Sequence, residues 1–109
     1  MAFVAIISNY PLSKQAEVTQ VFNKLLQTPP PPFIKGRGQF QWPSRDGAEV
    51  FTVFEIDNAK LYDGFLELAA RMAEFSSIEG YRYDLRVVAT AADMQAMARL
   101  IAERQAKQK

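Results

Sequence analysis

Residues 33–56 read FIKGRGQFQWPSRDGAEVFTVFEI, and the fold turns on how this stretch divides. Over 33–42 the period is two: Ile34, Gly36, Gly38, Phe40 and Trp42 fall on one face, and Lys35, Arg37, Gln39 and Gln41 on the other. This is the pattern of an edge-type strand. Residues 43–47, PSRDG, are dense in turn formers. The alternation resumes over 48–56, where Val50, Thr52, Phe54 and Ile56 oppose Glu49, Phe51, Val53 and Glu55. The two runs are expected to pair as a hairpin. The second is partly apolar on both faces, a central-strand trait.

Working towards the N-terminus, the four prolines at 29–32 must end whatever helix precedes them, because proline lacks the donor and disfavours the α region before it. That helix is marked by Val18, Val21, Phe22, Leu25 and Leu26, one continuous stripe at helical spacing, with Ser13 as its expected N-cap. Before it, residues 3–8 (FVAIIS) are apolar on both alternate sets, as in a strand covered on both sides. In the other direction, Asp57 or Asn58 is placed to cap a long helix. Leu61, Phe65, Leu68, Met72 and Phe75 form its buried stripe, and Lys60, Asp63, Glu67, Arg71 and Glu74 its wet one. Gly80 closes the connection to a strand over 81–89, in which Tyr81, Tyr83, Leu85 and Val87 alternate with Arg82, Asp84, Arg86 and Val88. Thr90 and Asp93 have capping-box spacing and open an alanine-rich helix over about 91–104. Met94, Met97, Ala98 and Ile101 are its apolar positions, the methionines expected as core filler where it docks, with 105–109 as a frayed tail.

The order is therefore β-α-β-β-α-β-α, within a single domain of 109 residues. Right-handed crossovers put the first two helices on one side of the sheet, which is the ferredoxin-like α+β arrangement, with four antiparallel strands and the first and third in the centre. Counting side chains then exposes a problem: Phe51 and Val53, flanked by Glu49 and Glu55, fall on the side opposite Val50, Phe54 and Ile56. Two large apolar groups on a helix-free face call for a cover, either a second copy of the chain or a ligand. The closing helix is expected to cover a sheet edge or that dimer seam.

Composition narrows the chemistry further. The chain has no cysteine and no histidine, which excludes disulfides, thiolate nucleophiles, Cys/His zinc sites and imidazole triads. No cofactor is expected. Thirteen basic and twelve acidic groups leave a net charge of +1, so no general electrostatic attraction to nucleic acid or anionic membrane exists. The apolar start, residues 1–7, is too short for a bilayer span and lacks a signal-peptide pattern, so a cytoplasmic protein is the expectation.

The residues 34–38 (IKGRG), the turn glycine Gly47, residues 53–58 (VFEIDN), and the strand from Tyr83 to Thr90 leading into an acidic-capped helix together resemble the dimeric α/β-barrel proteins, and among them a group of small bacterial proteins of unknown function. The resemblance covers roughly residues 3–100. It implies two ferredoxin-like subunits closing their sheets around a cavity. Cofactor-free monooxygenases, lactone isomerases, haem-binding enzymes and proteins without activity all occur in that class, so the resemblance implies a fold and a homodimer but no reaction.

Short motifs add little. Gly36-Arg37-Gly38 is followed by a strand and not by a helix, so it lacks the helix N-terminus that would hold a phosphate; it reads as an edge-strand bulge. Residues 35–42 lack the stacking aromatics of an RNA-recognition strand at Arg37 and Gln39. A polyanion could still meet Lys35, Arg37, Arg82 and Arg86, but a charged, solvated edge is the simpler reading. The proline run reads as a stiff connector. If a pocket exists, the candidates are Tyr10 at the sheet rim, Trp42 as an apolar wall with a donor, Arg37 or Arg82 as anion holders, and Glu55 or Asp84 as a desolvated base. The expected function is a homodimer, formed through the helix-free face, that binds a small molecule in a sheet-lined cavity or serves as a structural module. The alternative is a cofactor-independent enzyme, monooxygenase- or isomerase-like, on a small aromatic or anionic substrate; nucleic-acid binding ranks last.

Overall fold

Alternation in the four extended runs produces four strands, seen in a computed structural model that describes residues 1–108. They are β1 (Ala2–Tyr10), β2 (Ile34–Ser44), β3 (Gly47–Ile56) and β4 (Arg82–Val88), in the order β2-β3-β1-β4 with antiparallel neighbours throughout. β1 and β3 are central, as their two-sided apolar character requires, and the sheet is open at β2 and β4. Helices α1 (Gln15–Leu26), α2 (Leu61–Ala73) and α3 (Ala91–Lys107) complete the chain. None of the described helices is long and apolar enough to cross a membrane.

The core lies on one face of the sheet. Val4, Ile6 and Tyr10 of β1 and Ile56 of β3 meet Val18 of α1 and Leu68 and Met72 of α2. α2 sits so close to β3 that a Cβ on Gly64 would stand 2.8 Å from the Ile56 side chain, so glycine is what permits this approach. Arg71, expected on the wet side of its helix, is half-buried. It donates to the carbonyl oxygens of Leu25 (3.0 Å) and Thr28 (2.5 Å), whose partners four residues on, Pro29 and Pro32, have no N–H to offer. The four prolines end α1 as expected.

Helix starts depart from the expected caps. A single 3-10 turn, Leu12–Lys14, precedes α1, so Ser13 lies inside that turn and makes no cap. Another, Asn58–Lys60, precedes α2, and neither Asp57 nor Asn58 caps it through its side chain. Chain direction changes there by turn geometry, which satisfies the first amides less directly. The hairpin turn is tighter than 43–47: Pro43 and Ser44 still pair with Ala48 and Gly47, leaving Arg45 and Asp46 as the loop. Gly47 takes a positive φ of 114°, and a Cβ there would lie 2.2 Å from the Tyr10 carbonyl oxygen.

The largest departure is in β2. Its register against β3 shifts between Gly36 and Gly38, because Arg37 is an extra, bulged residue. Strict alternation put Ile34, Gly36, Gly38, Phe40 and Trp42 on one face; the bulge breaks that set in two. Ile34 and Gly36 stay on the helix side, opposite Ile56 and Phe54, but from Gly38 onward the parity inverts. Gln39 and Gln41, opposite Thr52 and Val50, now lie on the helix side of the sheet, where both remain exposed. Phe40 and Trp42, opposite Phe51 and Glu49, lie on the helix-free face, 63% and 43% exposed. The glycines flanking Arg37 were the sign of a bulge, but periodicity alone could not say that it carried the face change.

α3 is the second departure. Its capping box forms as its spacing predicted, with Thr90 N–H donating to Asp93 (2.8 Å) and Asp93 N–H to the Thr90 hydroxyl (3.2 Å). The helix does not dock, however: every residue from Ala91 to Gln108 is exposed, Met94 and Met97 included, so they fill no core and α3 covers no sheet edge. The radius of gyration is 17.2 Å, against roughly 13 Å for a compact chain of this size, because α3 projects from the body. It also runs to Lys107, past the expected end near 104, since alanines, Arg104 and Lys107 favour continued helix and oppose the dipole. Lys109, assigned to the frayed tail, lies outside the described residues.

Candidate ligand cleft

The bulge in β2 has a direct consequence beneath α1. Large aromatics at positions 40 and 42 would have filled the space between α1 and the β2 side of the sheet; Gln39 and Gln41 stand there instead, beside Thr52 and Val50. A cleft results, formed by two adjoining hollows of about 130 and 200 Å3 that share Phe22, Gln39, Val50, Phe75 and Tyr81. Its outer lip is α1, whose Phe22 and Leu26 remain exposed although they belong to the helix's apolar stripe. Two larger depressions, about 440 Å3 at the root of α3 and about 410 Å3 near Asp46 and Arg82, are more open to solvent. They would bury less of a ligand's surface, and burial of that surface characterises small-molecule sites.

One wall of the cleft is aromatic. Tyr10, Tyr81 and Phe75 stack with near-parallel rings, at centroid separations of 5.7 Å (Tyr10 to Tyr81) and 4.7 Å (Tyr81 to Phe75). At one end, three elements meet through side-chain polar groups: the Tyr10 hydroxyl donates to Gln15 Oε1 (2.6 Å) and accepts from Gln41 Nε2 (2.8 Å). Thus β1, α1 and β2 are tied together at the mouth. Deeper in, Ser8 is the one polar residue of β1 that is fully buried, and it faces Tyr81. Burial raises the Tyr81 pKa; the nearby Ser8 hydroxyl acts in the opposite sense, and the neighbouring Tyr10 and Tyr83 add to the rise. Tyr81 is therefore a neutral donor over the whole physiological range.

Among the described residues no aspartate, glutamate or lysine lines either hollow. Arg71 is the single charged group, and its guanidinium already serves the carbonyls of α1. Such a lining can exclude water, stack on a flat ring and offer neutral hydrogen bonds. It has no carboxylate to take a proton. No cluster of acidic, histidine or cysteine residues that could hold a metal occurs among the described residues.

The sequence candidates divide between two faces. Tyr10 belongs to the cleft. Arg37, Trp42, Glu55, Arg82 and Asp84 all lie on the helix-free face, so the structure does not join them to Tyr10. There Arg37 Nε donates to Glu55, Trp42 Nε1 donates to Glu49 (2.7 Å), and Arg86 pairs with Asp84 at 2.6 Å. Both carboxylates proposed as bases are thus engaged by arginines. Ser8, Gln39, Gln41, Phe75 and Tyr81 were missed as site residues. Ser8 carried a signal, as the single hydroxyl in the otherwise apolar run 3–8; the glutamines carried none without the bulge.

Comparison with protein-family models, with curated proteins and with solved structures returned no match.

Proposed function

We propose that this chain is a ferredoxin-like subunit of the dimeric α/β-barrel kind that binds a small, flat, uncharged molecule in the cleft between α1, α2 and the sheet. The observation that carries the reading is the lining: a stacked aromatic wall with neutral polar groups at its end and depth, and no free charge. An aromatic ring carrying a hydroxyl or carbonyl suits it. An anion does not, because the one arginine is committed. The absence of a lining carboxylate favours binding over the enzymatic alternative of proton abstraction. Support for a homodimer comes from the helix-free face, where Phe40 and Trp42 join Phe51 and Val53 in a patch too apolar to be left in water. Nucleic-acid binding there is weakened by the pairing of Arg37 and Arg86 with acids.

The test is a titration with 1-naphthol followed by amide NMR. Shifts should concentrate at Ser8, Gln39, Thr52 and Tyr81. Tyr81→Phe should weaken binding by about 2- to 10-fold, the worth of one neutral hydrogen bond, and Val50→Trp, which fills the cleft, should abolish it. Shifts confined to the helix-free face, or none, would overturn the reading. Sedimentation of the full chain tests the dimer: a species of 12.3 kDa at micromolar concentration would refute it.

A further inference from the structure

We infer that α3 is an association arm that pairs, antiparallel, with α3 of a second copy of this chain. Met94, Met97, Leu100 and Ile101 are 50%, 46%, 53% and 47% exposed. Met94, Met97, Ala98 and Ile101 recur at the spacing of a single helical stripe, the kind an amphipathic helix buries. The helix is well made in itself, closed by a reciprocal cap at Thr90 and Asp93, yet it touches no core. A stripe of this kind on a stable, projecting rod is a surface prepared for something outside the protomer.

Charge and shape select the occupant. Asp93 lies in the first turn and Arg104 and Lys107 in the last. Laid antiparallel, two copies bring Asp93 of each towards Arg104 of the other and oppose their helix dipoles; laid parallel, they set like charges and like dipole ends together. Antiparallel pairing also leaves the two bodies at opposite ends of the rod, whereas parallel pairing crowds both at one end. Setting Met94 against Ile101 of the second copy places the two-fold axis between Met97 and Ala98, where the small alanine allows close approach of the helices. Seventeen residues make a rod of about 25 Å with a footprint of roughly 250 Å2 per copy. That is well below the roughly 800 Å2 per partner of a standard stable interface. The arm therefore pairs reversibly, and it is a separate two-fold contact from the helix-free sheet face. A chain using both would assemble beyond a dimer.

The absence of native cysteine makes the test clean. In the full chain, Ala98→Cys lies beside the two-fold axis, and a short bis-maleimide should join two copies. Gln105→Cys lies on the same stripe but roughly 22 Å from its counterpart in the antiparallel pair, and should not cross-link. Adding Ile101→Asp should cut the Ala98→Cys product by more than about tenfold, since it buries a charge, while the melting temperature of the body is unchanged because Ile101 is exposed and lies outside the core. Adding Trp42→Lys should leave the product intact, which separates this arm from the sheet-face dimer. Three results would overturn the inference: no product from Ala98→Cys, equal product from positions 98 and 105, or loss of product with Trp42→Lys, which would place the arm against the second copy's sheet.

Discussion

Deleting Arg37 tests the origin of both the cleft and the apolar sheet face. Gly36 pairs with Phe54 and Gly38 with Val53, so removing the residue between them leaves a continuous register in which every later residue keeps its partner. Gln39 and Gln41 should stay on the helix side, and Phe40 and Trp42 should stay outside. What is lost is the Arg37–Glu55 pair, whose side chains are 50% and 15% exposed. A half-exposed arginine limits its worth, and Lys35, directly across from Glu55, is placed to take over part of its role. The net cost should be about 1 kcal/mol or less, roughly 4–8 °C at most in the melting temperature of a domain near this size. Trp42 fluorescence should keep its emission maximum and its access to acrylamide. If strict alternation governed β2 instead, the deletion would drag two aromatics out of the core, at about 3–5 kcal/mol for each large side chain lost. A loss of that order, or a shift in Trp42 emission, would refute the bulge as the cause of the face change.

Gly64→Ala should destabilise the fold by up to about 2 kcal/mol in urea unfolding: helix propensity gains roughly 1 kcal/mol, but overpacking against Ile56 costs about 1–3. At alkaline pH, stability should fall more in the wild type than in Tyr81→Phe. The folded-state pKa of Tyr81 is raised by burial, so its contribution is complete below the ordinary phenol value of about 10 and is lost as pH rises through the higher folded value. Asp93 has the opposite sign: its bonds with Thr90 lower its pKa, so the capping contribution is present above the usual carboxylate range and disappears as pH falls through the lowered value. Acid should thus fray α3 at its start, seen as loss of amide protection at Asp93 and Met94, while the body's thermal transition is unaffected by Thr90→Ala.

The order of elements was open to sequence reasoning because each rests on local periodicity and local stops. The stripe from Val18 to Leu26 and the prolines behind it specify α1 without reference to anything else, and Thr90 with Asp93 specifies the start of α3 in the same way. Even the central position of β1 and β3 follows from their two-sided apolar character. The faces of β2 were not legible. A bulge costs one residue of register, periodicity counts residues and not pairings, and only contact with β3 decides where the extra residue sits. On that one displacement depend the glutamines that open the cleft and the aromatics that crowd the outer face. The fate of α3 was hidden for a related reason. An amphipathic stripe records that a helix has something to bury, but whether its own protomer supplies the partner depends on where the strand before it ends, and Val88 and Ala89 deliver α3 away from the body. Periodicity within the chain determined which segments became helix or strand, while tertiary pairing alone decided what each of them faces.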